Sequence, residues 1–294
     1  MKKQVLICGG AGQLGRDCAA VLEAAWRVSA PGSKTLDIAD REAVLEAVEA
    51  LRPDVILNCA AYTKVDQCET DRAEAWRVNA LGPRNLAEAG ATHGALLVHV
   101  STDYVFDGRR VPPEPYTEED APGPLSVYGQ SKLAGEMAVR EIAERHAILR
   151  TAWLYGAGGH NFLKTMLRLA VSDPERVIRV VNDQYGCPTW SRDLARQIAR
   201  VMEAGVCGTF HACGEGFCTW YDLARRFLEL MALPHRLAPC STSEYPTAAV
   251  RPRNSILENR RLKEEGLDVM RPWEEALEEF VALNGRALLE EVNA

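Results

Sequence analysis

Near the start of the chain the apolar run Val5-Leu6-Ile7-Cys8 gives way to Gly9-Gly10-Ala11-Gly12-Gln13-Leu14-Gly15. No other stretch limits the fold as tightly. Four apolar residues stopped by glycine read as a short buried strand, and Leu14, Ala19, Val21 and Leu22 then open a helix. Glycines at 9, 12 and 15 therefore form G-x-x-G-x-x-G between a strand and a helix. Glycine permits the tight turn and lets backbone N–H groups approach a pyrophosphate at the positive end of the helix. That context favours a dinucleotide cradle over a plain glycine turn.

The rest of the chain continues the alternation. A weak second strand, Val28-Ser29-Ala30, ends at Pro31-Gly32, and an amphipathic helix covers 40–51 with Asp40 as its N-cap. Strands follow at 54–61, 95–100, 147–151 and 176–181, and helices at 72–92 (interrupted at Gly82-Pro83), from 126 onward, and at 161–172. Strand and helix in turn indicate an α/β fold, a Rossmann-type doubly wound parallel sheet. The C-terminal third has shorter strands at 209–213 and 236–239, helices at 219–232 and 272–284, and a Pro/Arg loop at 246–253. It reads as a smaller C-terminal α/β substrate lobe. The expected division is a nucleotide-binding domain over 1–150, its sheet continuing through about 181, and an interleaved lobe over 151–294. A chain of 294 residues has room for both.

Composition narrows the partners. A net charge of −7 argues against nucleic acid. Nine cysteines, an odd number without a paired framework, fit reduced thiols and a cytoplasmic setting. The apolar run before Gly9 is too short for a signal peptide, and no run is long enough for a membrane partner. His211, Cys213 and Cys218 do not match a zinc-ligand spacing. Neither a G-x-S-x-G elbow nor a P-loop occurs.

Two stretches carry candidate chemistry. In Tyr128-Gly129-Gln130-Ser131-Lys132, helical spacing puts Lys132 beside Tyr128. A neighbouring ammonium lowers a phenol's pKa toward general acid–base work. Ser101-Thr102-Asp103 ends the fourth strand, where parallel sheets bind ligands, although the same residues suit a cap for the next segment. After the second strand stand Ser33 and Lys34, not the acid expected of an NAD ribose ligand. They suit a 2′-phosphate, hence NADPH with NADH also possible; a solvated loop charge is the alternative for Lys34. Trp153 follows a strand end, and Arg251 or Arg253 in the Pro/Arg loop is placed for an anionic ligand.

These blocks together resemble the extended short-chain dehydrogenase/reductases, and among them the reductases of dTDP-4-dehydrorhamnose. The likeness runs from end to end: GGAGQLG at 9–15, LDIAD at 36–40, NCAAYTKVDQCE at 58–69, VNALGPRNLA at 78–87, VSTDYVFDG at 100–108, YGQSKLAGE at 128–136, RTAWLYG at 150–156, NFLKTMLRLA at 161–170, NDQYGCPTW at 182–190, SEYPTAAVRP at 243–252 and NSILEN at 254–259. The resemblance implies a catalytic triad of Thr102, Tyr128 and Lys132 and a 4-oxo reduction of dTDP-4-dehydro-L-rhamnose by NAD(P)H. It implies cofactor contacts from Gly12, Gln13, Leu14, Asp37, Ile38, Ala61, Tyr62 and Thr63, besides Tyr128 and Lys132. Thr102, Asp103, Tyr128, Trp153, Asn161 and Arg251 are the expected contacts of a dTDP-sugar. Parts of the family use a magnesium-bridged dimer held by acids. Here Asp17 is available, but Arg192 stands where an acid is wanted, so the expectation is a monomer or weak homodimer without a magnesium requirement. Two alternatives stay open: reduction or epimerisation of another nucleotide-4-keto-6-deoxyhexose, or a non-catalytic nucleotide-binding subunit like that of methionine adenosyltransferase.

Overall fold

In the computed structural model, residues 2–293 are described. The first half runs β1 (Gln4–Cys8), α1 (Gln13–Leu22), β2 (Arg27–Ser29), α2 (Arg41–Leu51), β3 (Val55–Asn58), α3 (Val65–Thr70), α4 (Arg72–Trp76), a π-turn (Arg77–Leu81), α5 (Gly82–Ala91), β4 (Leu96–Thr102), α6 (Val127–Ile142) and β5 (His146–Thr151). The second half adds β6 (Leu154–Tyr155), α7 (Phe162–Ser172), β7 (Val177–Val181), β8 (Tyr185–Gly186), β9 (Thr189–Trp190), α8 (Ser191–Ala204), β10 (Gly208–His211), β11 (Cys218–Thr219), α9 (Trp220–Leu230), β12 (Arg236–Cys240), α10 (Arg260–Glu264) and α11 (Trp273–Asn293).

Six strands form one parallel sheet in the order β10-β5-β4-β3-β1-β2. Its two faces sort by the two-residue period of a strand. Val5, Ile7, Leu57, Val98, Leu149 and Phe210 pack under α1 and α8. Leu6, Cys8, Ile56, Leu97 and Ile148 pack under α2, α5 and α6. Burial on both faces is why these strands read as continuous apolar runs. The chain leaves β1 toward β2 and returns to β3 on the other side. The switch point, where open parallel sheets bind ligands, therefore lies between β1 and β3.

The structure corrects the expected course of the sheet. The strand at 177–181 does not extend it. β7 pairs in parallel with β12, Val177 against Arg236, in a separate two-stranded sheet. Its sequence Val-Ile-Arg-Val-Val buries only alternate side chains, which suits a sheet with one covered face. The sixth strand is β10, brought back from the C-terminal third to pair with β5, Gly208 against Ala147. The break expected at Gly82-Pro83 is also different. The helix continues, with the π-turn over Arg77–Leu81 letting the Gly82 N–H reach the Arg77 carbonyl, and Pro83 falls in the first turn of α5 where its missing N–H costs nothing. The C-terminal lobe has its own core, built by α7, α9 and α11 around Leu167, Phe227, Leu277 and Phe280.

Candidate active site

The glycine turn is built as its sequence requires. Gly9 sits at φ +78°, and a Cβ there would lie 2.8 Å from the Ala60 nitrogen. At Gly15 a Cβ would lie 2.3 Å from the Gly9 carbonyl oxygen, so only glycine lets α1 rise directly against the turn. Gly12 caps α1 without any side-chain bond, which leaves the first-turn N–H groups of Gln13, Leu14 and Gly15 open to an anion. Gly10 belongs to the cradle as well: its N–H donates to the Pro31 carbonyl at 2.9 Å, drawing the loop after β2 against the turn. That loop carries Ser33 and Lys34, both exposed. The arrangement fits a dinucleotide.

The other expected cofactor residues are more committed. Asp37 accepts from Arg77 Nη1 at 2.7 Å and from the Ala39 N–H at 3.0 Å. Against a desolvation cost, these bonds hold its carboxyl below the usual range. The Ile38 side chain is 2% exposed, and its carbonyl accepts from Asn85 Nδ2 at 3.0 Å, so both serve the fold. After β3 the loop Ala61-Tyr62-Thr63 flanks the switch point. Asn79 clamps it at both ends of one residue: the Tyr62 N–H donates to Asn79 Oδ1 at 2.8 Å, and Asn79 Nδ2 donates to the Tyr62 carbonyl at 3.1 Å. The same Nδ2 lies 3.1 Å from Ser131 Oγ on α6. Sequence reading passed over Asn79, whose only signal was its place in the VNALGPRNLA block.

Helix α6 brings Tyr128 and Lys132 to the end of β4. Ser126 caps it by accepting the Gly129 N–H at 3.2 Å. Close approach depends on small residues, since a Cβ at Gly129 would lie 2.2 Å from the Tyr104 carbonyl and one at Gly135 2.2 Å from that of Asn79. Thr102 is the last residue of β4 and also the N-cap of the turn Asp103–Val105, so the capping role coexists with a place at the strand's carboxyl end. Tyr128 is 9% exposed, its ring set edge-on to Tyr104 with centroids 5.5 Å apart.

The electrostatics depart from the expectation that Lys132 draws the phenol's pKa down. Burial pushes Tyr128 well above the ordinary tyrosine value, and the Thr102 hydroxyl offsets only part of this. Lys132 instead donates to the Val100 carbonyl at 2.7 Å and is itself lowered to about 8 by burial, opposed by the nearby Glu136 carboxylate. Helical spacing puts the two residues on one face, but the lysine stem runs down to β4 instead of back to the phenol. Glu136 is fixed by a buried pair with Arg150, with Nε to Oε1 at 2.9 Å and Nη2 to Oε2 at 2.7 Å, which ties α6 to β5. Asp103 is 3% exposed, and burial raises its carboxyl to about 6. Its Oδ1 accepts the Thr102 hydroxyl at 2.9 Å, while Oδ2 has no partner.

On the lobe side Trp153 is held at φ +46°, rare for a bulky residue, and stacks on Trp220 with centroids 3.5 Å apart. Asn161 is not left open for a ligand. It caps α7 through Oδ1, and its Nδ2 donates to Gln13 Oε1 at 2.9 Å and to the Gly156 carbonyl at 2.8 Å. Arg251 donates to Asp66 Oδ2 at 2.6 Å while its Nη1 stays unpaired in the interior. Arg109, Arg110, Arg251 and Arg253 line a cavity of about 420 Å³ with Gly108 and Leu125. A larger cavity, about 540 Å³, opens at the opposite, amino ends of the strands near Lys3, Asp54 and Leu96, away from every residue above. Among the described residues no group of three His, Cys, Asp or Glu is placed to hold a metal ion. Asp17 bonds to the Ser191 hydroxyl beside the Arg192 cation. No helix of the described residues is long and apolar enough to cross a membrane.

Known proteins resemble the chain along nearly its whole length. The chain is 45% identical to a dTDP-4-dehydrorhamnose reductase of Streptomyces griseus, covering 96% of this chain and 94% of the relative. It is 41% identical to a dTDP-4-keto-6-deoxy-D-glucose reductase of Streptomyces niveus, covering 97% and 99%. A crystal structure of dTDP-4-dehydrorhamnose reductase from Bacillus anthracis in complex with NADP superposes with a TM-score of 0.93 at 41% identity, covering 96% of this chain and all of that one. The family model described as the RmlD substrate binding domain matches residues 1–285. The chain belongs to that family.

Proposed function

We propose that this protein reduces the 4-oxo group of dTDP-4-dehydro-L-rhamnose with NADPH, giving dTDP-L-rhamnose. The observation that carries the mechanism is the meeting of Thr102, Tyr128 and Lys132 at the carboxyl end of β4, one strand beyond β3 and the switch point where the glycine turn stands ready for a dinucleotide. Bound NADPH supplies the hydride that C4 of the sugar receives. The residues of the chain manage the proton and the charge. A raised pKa keeps Tyr128 protonated at neutral pH, the form a reduction needs, and its Oη gives that proton to the carbonyl oxygen as negative charge builds there. Lys132, lowered to about 8, is still mostly charged at neutral pH and stabilises the phenolate left behind once its ammonium swings from the Val100 carbonyl, until solvent reprotonates the phenol. Thr102 serves as a hydrogen-bond donor to the same oxygen once its hydroxyl turns from Asp103.

The glycine turn with Ser33 and Lys34 takes the cofactor's diphosphate and 2′-phosphate. The arginine-lined cavity supports a site for the nucleotide diphosphate of the sugar, with Arg251 and Arg253 as its charged partners. The parallel sheet then serves the cofactor, and the lobe built by α7, α9 and α11 the sugar nucleotide. A second reading, reduction of another dTDP-4-keto-6-deoxyhexose, is favoured by the Streptomyces niveus relative and uses the same three residues. Following NADPH and NADH oxidation with a small panel of dTDP- and UDP-linked 4-keto sugars separates the two. Turnover with none of them rejects both.

A further inference from the structure

The cradle and the lobe meet at one hydrogen bond between residues 148 positions apart. Gln13 is the first residue of α1, directly after the glycine turn, and its Oε1 accepts from Asn161 Nδ2 at 2.9 Å. Asn161 has no slack, because the same amide nitrogen holds the Gly156 carbonyl and its Oδ1 caps α7. The loop between them rests on Gln13: a Cβ at Gly156 would lie 3.1 Å from Gln13 Cγ, and one at Gly159 3.7 Å from Gln13 Cβ. On the other side of Asn161, Phe162 packs on Trp220 with centroids 4.6 Å apart, and Trp220 stacks on Trp153 at 3.5 Å. Trp153 in turn fills the space over Gly186, where a Cβ would come within 2.3 Å of its ring. A continuous set of contacts thus joins the diphosphate end of the cofactor cradle to the aromatic pair in the lobe.

We infer that Gln13 and Asn161 form a latch between cofactor and sugar-nucleotide sites, positioning α7 and the Trp153–Trp220 stack according to whether the glycine turn is filled. The inference rests on the dTDP-sugar reading of the lobe. An anion drawn to the first-turn N–H groups of α1 bears directly on Gln13, which begins that turn and is tied to Asn161 by the bond above. Coupling of this kind is reciprocal, so each ligand tightens the other by the same factor. Both residues act through others and are positioning residues.

The test measures NADPH affinity by calorimetry on the full chain, with and without saturating dTDP-L-rhamnose, which forms a dead-end complex with the reduced cofactor. Asn161→Ser keeps an N-cap oxygen for α7 and removes both donated bonds. Gln13→Ala breaks the latch from the other side. The wild type is expected to bind NADPH on the order of tenfold more tightly when the sugar nucleotide is present, within the usual range for coupled sites. In each variant and in the double variant that ratio falls below about twofold, with no further loss in the double because one bond is broken three ways. A second readout needs no sugar: NADP⁺ alone shifts the exciton band of the stacked tryptophans in circular dichroism in the wild type and not in the variants. Variants that bind both ligands more weakly but keep the wild-type ratio and the dichroism change overturn the latch and leave Asn161 a plain structural cap. Failure of the function reading appears separately, as the absence of turnover with any 4-keto sugar nucleotide and of heat with dTDP-L-rhamnose, while the NADP⁺ dichroism still decides the latch.

Discussion

Replacing Tyr128 by phenylalanine isolates the proton it delivers. The ring packs among Cys68, Ala75 and Val127 and edge-on to Tyr104, and phenylalanine keeps all of these contacts. The variant should therefore fold, losing on the order of 1 kcal/mol for the hydroxyl's bond with Thr102. Cofactor affinity should hardly change, because the glycine turn and the Lys132 bond to the Val100 carbonyl are untouched. The loss falls on chemistry. General acid catalysis is worth ~10²–10⁴-fold. At ~1.4 kcal/mol per decade this is roughly 3–5 kcal/mol of barrier. The assay is steady-state NADPH oxidation with dTDP-4-dehydro-L-rhamnose, paired with calorimetric NADPH binding. A Phe variant within tenfold of wild-type turnover refutes the assignment of Tyr128 as the acid. A variant that also loses cofactor binding refutes the division of labour between Tyr128 and Lys132.

Since Lys132 is lowered to about 8 and Tyr128 raised above its ordinary value, the alkaline limb of the kcat/KM profile should break near pH 8 and belong to the lysine; a limb that survives unchanged in Lys132→Arg contradicts this. Asp103 is raised to about 6, so its folded form holds a proton that the unfolded chain releases near 4. Its contribution is present below the unfolded pKa and is lost as pH rises through 6. Asp103→Asn should thus gain stability of up to about 3 kcal/mol at pH 8 and almost none at pH 4, as read from urea unfolding at the two pH values. Lys34→Ala should lower the preference for NADPH over NADH about fivefold, the worth of one exposed charge contact, and an unchanged ratio of Michaelis constants removes Lys34 from the 2′-phosphate. Arg251→Ala should raise the Michaelis constant for the sugar nucleotide about tenfold or more while sparing turnover, and equal losses in both would move it out of the binding role.

Much of this was legible because the signals were local. The turn at 9–15 needs only neighbours in sequence, and the residues at the end of β4 announce themselves by lying where a parallel sheet binds ligands. What failed was long-range. β7 and β10 are both short strands, and no local property says which joins the main sheet. That choice rests on β5 presenting an edge to residues 208–211. Helix α8 is absent from the sequence expectations although Leu194, Ile198 and Val201 recur at helical spacing. The Lys132 prediction failed for a different reason: spacing fixes the face of a helix but not the direction of a flexible stem, and a bare carbonyl at Val100 outcompeted the phenol. Asn161 was expected to contact the dTDP-sugar, and no local signal shows that its side chain is committed to Gln13, 148 residues away.

The late arrival of α8 and β10 has a bearing on biogenesis. When the ribosome has made residues 1–150, five of the six parallel strands exist, but the face formed by Val5, Ile7, Leu57, Val98 and Leu149 lacks the lid that Leu194, Ala195, Ile198 and Val201 later provide. Beyond it β5 still has a naked edge, awaiting residues 208–211. A nascent chain of that length carries an oily slab and an unpaired strand, both invitations to misassociation. The amino-terminal half is thus a poor candidate for separate expression, and holdase chaperones have a defined interval, between emergence of residue 151 and of residue 211, in which to shelter it.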